Sequence, residues 1–192
     1  MKTSQKGIDL IKKYEGCVLQ AYKCPAGVYT IGYGHTKGVY AGQKITREHA
    51  ESYLKEDLKT FESHVNSYNK TYNFNQNQFD ALVSFAYNIG NIDQLTQNGT
   101  RSKYQIADMM LEYIKGGGQV LPGLINRRRE ERALFIQNAP ETPFINVPEL
   151  KEGQKVKTVI DMIIEGKFGN GTERKNALYE AFQKLVNARF KK

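Results

Sequence analysis

The sequence contains no tryptophan, two cysteines and five prolines in 192 residues. Two cysteines cannot support a disulfide scaffold, and Cys17 and Cys24 lack the spacing of a zinc site. No run of eighteen apolar residues is present, which excludes a transmembrane helix. Lysines at positions 2, 6 and 12 interrupt any apolar stretch near the N-terminus, so we expect no signal peptide.

Acidic residues are also scarce, at 20 against 28 basic ones, and the net charge is +8. This excess predicts an anionic partner, such as a nucleic acid, a membrane surface or a cell-wall polymer. No segment combines a dense basic stripe with interleaved aromatics, and no helical segment is basic on one face and apolar on the other. We therefore expect no nucleic-acid binding and no stable membrane insertion. A hydrophobic fraction of 40% is sufficient for a folded core.

Hydrophobic periodicity predicts helices alternating with one strand-forming region. Helical spacing is found at residues 4–15, 46–66, 75–88, 102–115 and 122–137. Residues 17–36 are rich in β-branched and aromatic types around Pro25 and predict a small antiparallel sheet, which we expect to have three strands. Ser4 and Thr46 are candidate helix caps, and the three glycines at 116–118 are expected to form a flexible joint.

Three of the five prolines, at positions 140, 143 and 148, lie close together and predict an extended linker. Two further helical stretches follow the linker, and both parts of the chain carry a mild excess of positive charge. We therefore divide the chain into a domain at 1–138, a linker at 139–150 and a small all-α module at 151–192.

Glu15 lies where the first predicted helix gives way to the sheet. A carboxyl at a helix C-terminus faces the negative end of the helix dipole, and partial burial also favours its protonated form, as a general acid requires. Cys24 and Thr30 lie on the adjacent sheet segment. Taken singly, each has an ordinary explanation as a solvated carboxyl, a small buried hydrophobe and a strand former.

Three segments together resemble the phage-type lysozymes of glycoside hydrolase family 24. These are YEGCVLQAYKCPAGVYTIGYGHT, NQFDALVSFAYNIG and GGGQVLPGLINRRREERALF, and the resemblance spans nearly all of residues 5–137. It implies an α+β fold, in which a small antiparallel sheet and a helical lobe are joined by the long second helix. It also implies cleavage of the β-1,4 bond between N-acetylmuramic acid and N-acetylglucosamine in bacterial peptidoglycan, with no metal or cofactor.

The resemblance implies roles for individual residues. Glu15 matches the general acid, Thr30 matches the residue that helps to hold the attacking water, and Cys24 matches a position more often occupied by Asp. Because a second carboxylate is missing there, we expect Cys24 and Thr30 to position a water opposite Glu15, giving inversion at the anomeric carbon. Two alternatives remain open, a Cys24 thiolate in the electrostatic role of Asp and Cys24 as a covalent nucleophile.

Candidate substrate-binding residues are Gly32, Asn88, Arg127 and Arg128. The resemblance implies that Arg127 or Arg128 reaches Glu15, whereas the charge run NRRREER alone predicts a solvated helix face with pairs four residues apart. Gly32 would either allow close backbone approach beside the cleft or ease a twisted hairpin.

Three further interpretations start from cysteine and histidine. Cys24 and His35 could form the dyad of a peptidoglycan amidase or peptidase, although a structural histidine with a carboxylate partner is the simpler reading. Cys17 is expected to be a core thiol, and a Cys17–Cys24 disulfide is geometrically conceivable. A non-catalytic wall-binding protein would follow if Cys24 disabled the site.

The C-terminal segment GKFGNGTERK resembles the CW-seven type of cell-wall-binding repeat. The resemblance implies that Phe168, Gly169, Asn170 and Arg174 bind a muropeptide, while the alternative is a helical hairpin that docks on the first domain or mediates dimers. The family usually has Trp or Tyr in place of Phe168, and the repeat is present in a single copy. We expect a monomer, and the resemblance to phage lysins implies that it stays in the host cytoplasm until lysis.

Overall fold

The computed structural model describes residues 1–137, which belong to one compact unit of the chain. The predicted linker and the C-terminal module lie outside the described residues. The helices are α1 (Gln5–Glu15), α2 (Arg47–Tyr72), α3 (Gln76–Ile89), α4 (Asp93–Thr96), α5 (Lys103–Met110) and α6 (Pro122–Ile136), and the strands are β1 (Val18–Lys23), β2 (Tyr29–Gly32), β3 (Lys115–Gly116) and β4 (Gln119–Val120). None of the helices in this part of the chain is long and apolar enough to cross a membrane.

The predicted sheet is smaller than expected. β1 pairs antiparallel with β2, and Tyr22 lies opposite Thr30. The expected third strand is reduced to an isolated bridge between Gln20 and Lys44. Gly42 adopts a φ of +79° just before this bridge, and such a left-handed residue bends the chain away from an extended path. The prediction of three strands was therefore wrong, whereas the antiparallel hairpin is confirmed.

Helix α2 links the hairpin to the helical part of the fold. The side chain of Thr46 accepts a hydrogen bond from the backbone N–H of His49 at 3.3 Å, which confirms the predicted cap. The helix runs beyond the predicted end to Tyr72 and stops at Asn73, whose φ of 47° is left-handed. It contacts both β2 and α3, so it joins the two lobes as predicted.

Helix α3 is the centre of the core. Asn75 and Gln78 form a capping box at its start, an arrangement worth about 1 kcal/mol. Every residue from 78 to 86 is buried, because α1, α2 and α6 all pack against this helix. Gly90 ends the helix as predicted, with a φ of 107°.

The segment after α5 differs from the prediction. The helix ends at Met110 rather than at residue 115, and β3 and β4 then form a second antiparallel hairpin. Gly117 and Gly118 have φ values of +58° and +80°, which suit the two central residues of a tight hairpin turn. The glycines thus form this turn and are not a flexible joint.

Helix α1 is anchored to α3 at its N-terminal end. Ser4 is the cap residue by position, but its side chain does not cap the helix. Its backbone N–H donates to Asp80 Oδ1 at 2.9 Å, and its hydroxyl also donates to the fully buried Asp80 carboxylate. Since this fixes one end of α1 on the core, the opposite end, which carries Glu15, is also held in place.

Candidate active site

Glu15 is the last residue of α1, and its side chain is 23% exposed. Its Oε1 accepts a hydrogen bond from Arg127 Nη1 at 2.6 Å, so of the two candidate arginines it is Arg127 that reaches Glu15. The guanidinium is almost fully buried, whereas the carboxyl remains accessible. This arrangement can hold one oxygen in place while the carboxyl exchanges a proton with a ligand.

Every nitrogen of Arg127 donates to a protein acceptor. In addition to the bond with Glu15, Nε donates to Glu131 Oε1 and Nη2 donates to the carbonyl oxygen of Ser84, both at 3.0 Å. The hydroxyl of Ser84 also donates to Glu131 Oε1, at 2.7 Å. Helices α1, α3 and α6 therefore meet at one buried polar cluster behind Glu15.

Arg128 lies deeper than Arg127 and is fully buried. Its Nε donates to the carbonyl oxygen of Tyr113 at 3.1 Å, and its two Nη groups donate to the side chains of Glu131 and Asn88. Burial lowers the pKa of Arg128. Arg128 has no exposed surface, so its side chain is not presented to a substrate as the prediction expected.

The charge run of α6 is therefore not a solvated face, although Arg127 and Glu131 do form the pair predicted at a spacing of four. Positions 127, 128 and 131 lie on the side of α6 that continues into the buried Leu134 and Phe135 and packs on α3. Arg129 instead points to solvent. Packing against α3 overrode the expectation from local charge.

Cys24 and Thr30 share one face of the first hairpin. The loop is closed by hydrogen bonds from Cys24 N to Val28 O at 2.9 Å and from Gly27 N to Cys24 O at 2.8 Å. Tyr22, near the end of β1, lies opposite Thr30, and the Cys24 thiol hydrogen-bonds with the Thr30 side chain, so these two side chains are neighbours.

The Cys24 thiol is free and partly exposed. Its pKa is lowered, first by a hydrogen bond with the backbone of Val28 and then by the backbone of Ala26 and the side chain of Thr30, while desolvation acts in the opposite direction. Cys17 is also free and packs partly buried against the core, so the two thiols are not joined by a disulfide.

His35 has both ring nitrogens engaged. Nδ1 contacts the Asp57 carboxylate at 2.9 Å, Nε2 contacts the carbonyl oxygen of Lys37 at 2.8 Å, and the ring stacks on Tyr53 at 4.3 Å between centroids. Since both partners accept hydrogen bonds, neither nitrogen is available as a base for Cys24. This geometry confirms the interpretation of a structural histidine with a carboxylate partner.

Gly32 is the last residue of β2 and is buried against α2, with a φ of +65°. A Cβ added there would lie 3.2 Å from the Cβ of Ala50. The missing side chain therefore serves the packing of the hairpin on α2. Asn88 lies beside the buried cluster as the acceptor of Arg128.

The sequence predicted Glu131 as the partner of Arg127, but on a solvated face, and its burial behind Glu15 was missed. Ser84 was not predicted at all. Ser84 interrupts the apolar run from Ala81 to Ala86, which is a weak signal.

Comparison with known proteins gives matches to both parts of the chain. The Phage lysozyme family model matches residues 12–131, and the CW_7 repeat model matches residues 157–190. The endolysin of Acyrthosiphon pisum secondary endosymbiont phage 1 is 41% identical over 145 residues, covering 70% of this chain and 98% of its own length. The endolysin of Lactococcus phage c2 is 46% identical over 138 residues, covering 70% of this chain but 60% of its own length.

Solved structures extend the similarity to three dimensions. The muramidase domain of SpmX from Asticaccaulis excentricus superposes with a TM-score of 0.63 at 39% identity, covering 70% of this chain and 97% of that domain. The described part of the chain thus shares its architecture and more than a third of its aligned residues with a muramidase domain.

Proposed function

This chain belongs to the phage lysozyme family and is a lysozyme, and we propose that it cleaves the β-1,4 bond between N-acetylmuramic acid and N-acetylglucosamine with Glu15 as the general acid. The observation that supports this assignment is the accessible Glu15 carboxyl held by the buried Arg127 at 2.6 Å. The substrate is bacterial peptidoglycan, and the chemistry is glycoside hydrolysis.

Glu15 protonates the glycosidic oxygen as the bond to the anomeric carbon breaks. The carboxylate that results lies against the Arg127 guanidinium, and this ion pair stabilises the state reached after proton transfer. Arg127 stays in place when the proton is transferred, because its other two nitrogens donate to Glu131 and to the carbonyl oxygen of Ser84.

Cys24 and Thr30 hold the attacking water on the face of the sugar opposite Glu15. The Cys24 thiol and the Thr30 side chain contact each other on this hairpin, which supports the role because a water bound beside them would meet two polar groups held in place. With Cys24 where the family more often has Asp, attack by water gives inversion at the anomeric carbon. A Cys24 nucleophile would instead give retention, and an amidase is disfavoured because both nitrogens of His35 are engaged.

The C-terminal part holds the enzyme on its polymeric substrate. The CW_7 match at residues 157–190 supports a wall-binding module at 151–192, joined by a linker at 139–150 to the catalytic domain at 1–138. Within it, we assign muropeptide binding to Phe168, Gly169, Asn170 and Arg174. As an endolysin, the protein remains in the host cytoplasm until lysis and then acts at the wall.

Alkylation of Cys24 tests two assignments in one experiment: the place of Cys24 in the catalytic site and the binding of the protein to the wall. In a Cys17→Ala background we expect iodoacetamide to abolish clearing of wall suspensions, while the alkylated protein still pellets with purified walls. Because the pKa of Cys24 is lowered, its thiolate persists to a lower pH than that of a free cysteine. The alkylation rate should therefore fall with pH only at values below those of a free cysteine.

The matched control for this experiment is Cys17→Ala/Cys24→Ser, which should be insensitive to iodoacetamide. Undiminished clearing by the fully alkylated protein would refute a place for Cys24 beside the substrate. Failure of the unmodified protein to pellet with purified walls would refute the wall-binding assignment.

A further inference from the structure

Glu131 is a fully buried carboxylate at the centre of the cluster behind Glu15. Oε1 accepts from Arg127 Nε at 3.0 Å and from the Ser84 hydroxyl at 2.7 Å, and Oε2 accepts from Arg128. A buried carboxylate with two arginines and a hydroxyl is fully satisfied, so its desolvation is offset by its partners. In the mechanism proposed above, this residue serves only to hold Arg127 in place.

The cluster raises a difficulty for a general acid. A cation at 2.6 Å favours the ionised form of Glu15, whereas Glu15 must carry a proton to begin the reaction. A second buried cation, Arg128, lies next to Arg127 on the same helix. Without a counter-charge, both arginines would oppose a proton on Glu15.

We propose that Glu131 is a positioning residue for the reaction, whose buried carboxylate neutralises one of the two arginines and lets Glu15 hold a proton beside Arg127. Together, Arg127, Arg128 and Glu131 carry one net positive charge, which the Glu15 carboxylate balances once the proton has left. The inference rests on the proposed role of Glu15 as the general acid.

Charged and polar groups face Glu131 from two helices. Arg127 and Arg128 face Glu131 from α6, and Ser84 faces it from α3. Arg127 also contacts Glu15 of α1, and Arg128 also contacts Asn88 of α3.

Tyr14 of α1 also interacts with the charge of Glu131. Burial, the Glu130 carboxylate and then the Glu131 charge raise the pKa of Tyr14 to about 12, while Arg127 acts in the opposite direction. Burial, followed by the charges of Asp57 and Glu15, raises the pKa of Tyr87 of α3, while Arg127 acts in the opposite direction. Both phenols therefore stay neutral around neutral pH and add no charge beside the two arginines, Glu15 and Glu131.

The test is the pH dependence of the initial rate of wall clearing in three variants. Glu131→Gln keeps the shape and an acceptor for Ser84 but removes the charge, so the alkaline limb of the profile should move to lower pH by about one unit. Arg128→Met removes one cation and should move the limb to higher pH. The double variant restores the net charge and should return the limb close to that of the unmodified enzyme.

Glu130→Gln is the matched control, because Glu130 is the preceding residue of α6 but pairs with Lys13 at the surface, at 2.6 Å. It should leave the limb in place. A loss of rate by Glu131→Gln that is equal at every pH, or shifts of the two single variants in the same direction, would overturn the inference. If Glu131→Gln does not fold, the upward shift of Arg128→Met and its reversal in the double variant decide the matter. Failure of the proposed function is separately visible as clearing that survives Glu15→Gln.

Discussion

Replacing Glu15 with Gln should reduce the rate of wall clearing by about a thousandfold, the scale of a lost general acid. The amide keeps an oxygen that can accept from Arg127 Nη1, so the local geometry is retained. It has no acidic proton to give to the glycosidic oxygen. The melting temperature should therefore change little, and the loss should lie in catalysis.

The control for this prediction is Glu112→Gln, a neutralised carboxyl on an exposed residue of the same domain. Its clearing rate should match that of the unmodified enzyme at the same salt concentration, because one surface charge contributes little to wall attraction. Clearing by Glu15→Gln at a rate comparable to this control would refute the assignment of the acid.

The second large effect is on stability, in Arg127→Met. This change removes the partner of Glu15, Glu131 and the Ser84 carbonyl at once, and leaves buried acceptors without donors. Breaking a buried ion pair on one side costs about 3–5 kcal/mol. Denaturant unfolding followed by circular dichroism should show a loss of this size, together with a loss of clearing.

Arg129→Met provides the comparison, since Arg129 lies two positions further along α6 and is exposed. Its free energy of unfolding should change by less than about 0.5 kcal/mol. Equal destabilisation by the two variants would mean that the Arg127 cluster contributes no more than an ordinary surface residue.

Local chemistry predicted much of this architecture. The cap at Thr46 and the stop at Gly90 fix the start of α2 and the end of α3, and both follow from side-chain type alone. The second hairpin was missed because its strands have two residues each, too few to show a period of two. The glycines at 117 and 118 were recognised as a break, but their φ values, and hence the turn, depend on how β3 and β4 pair.

The candidate site also has a part that the sequence could predict and a part that depends on tertiary packing. Glu15, Cys24 and Thr30 lie within 16 residues of one another in sequence, so a resemblance could point to all three. The burial of Arg127, Arg128 and Glu131 depends on α6 packing against α3, a contact between residues 40 or more positions apart in the sequence. No local pattern separates a buried charge run from a solvated one.

The most direct test is proton NMR of soluble peptidoglycan fragments during the first seconds of digestion by the unmodified enzyme. A water-positioned muramidase should produce a new reducing-end anomeric resonance of N-acetylmuramic acid, in the α configuration before mutarotation. The β anomer appearing first would contradict the role of Cys24 and Thr30. New free amines without any reducing-end resonance would contradict the account as a whole.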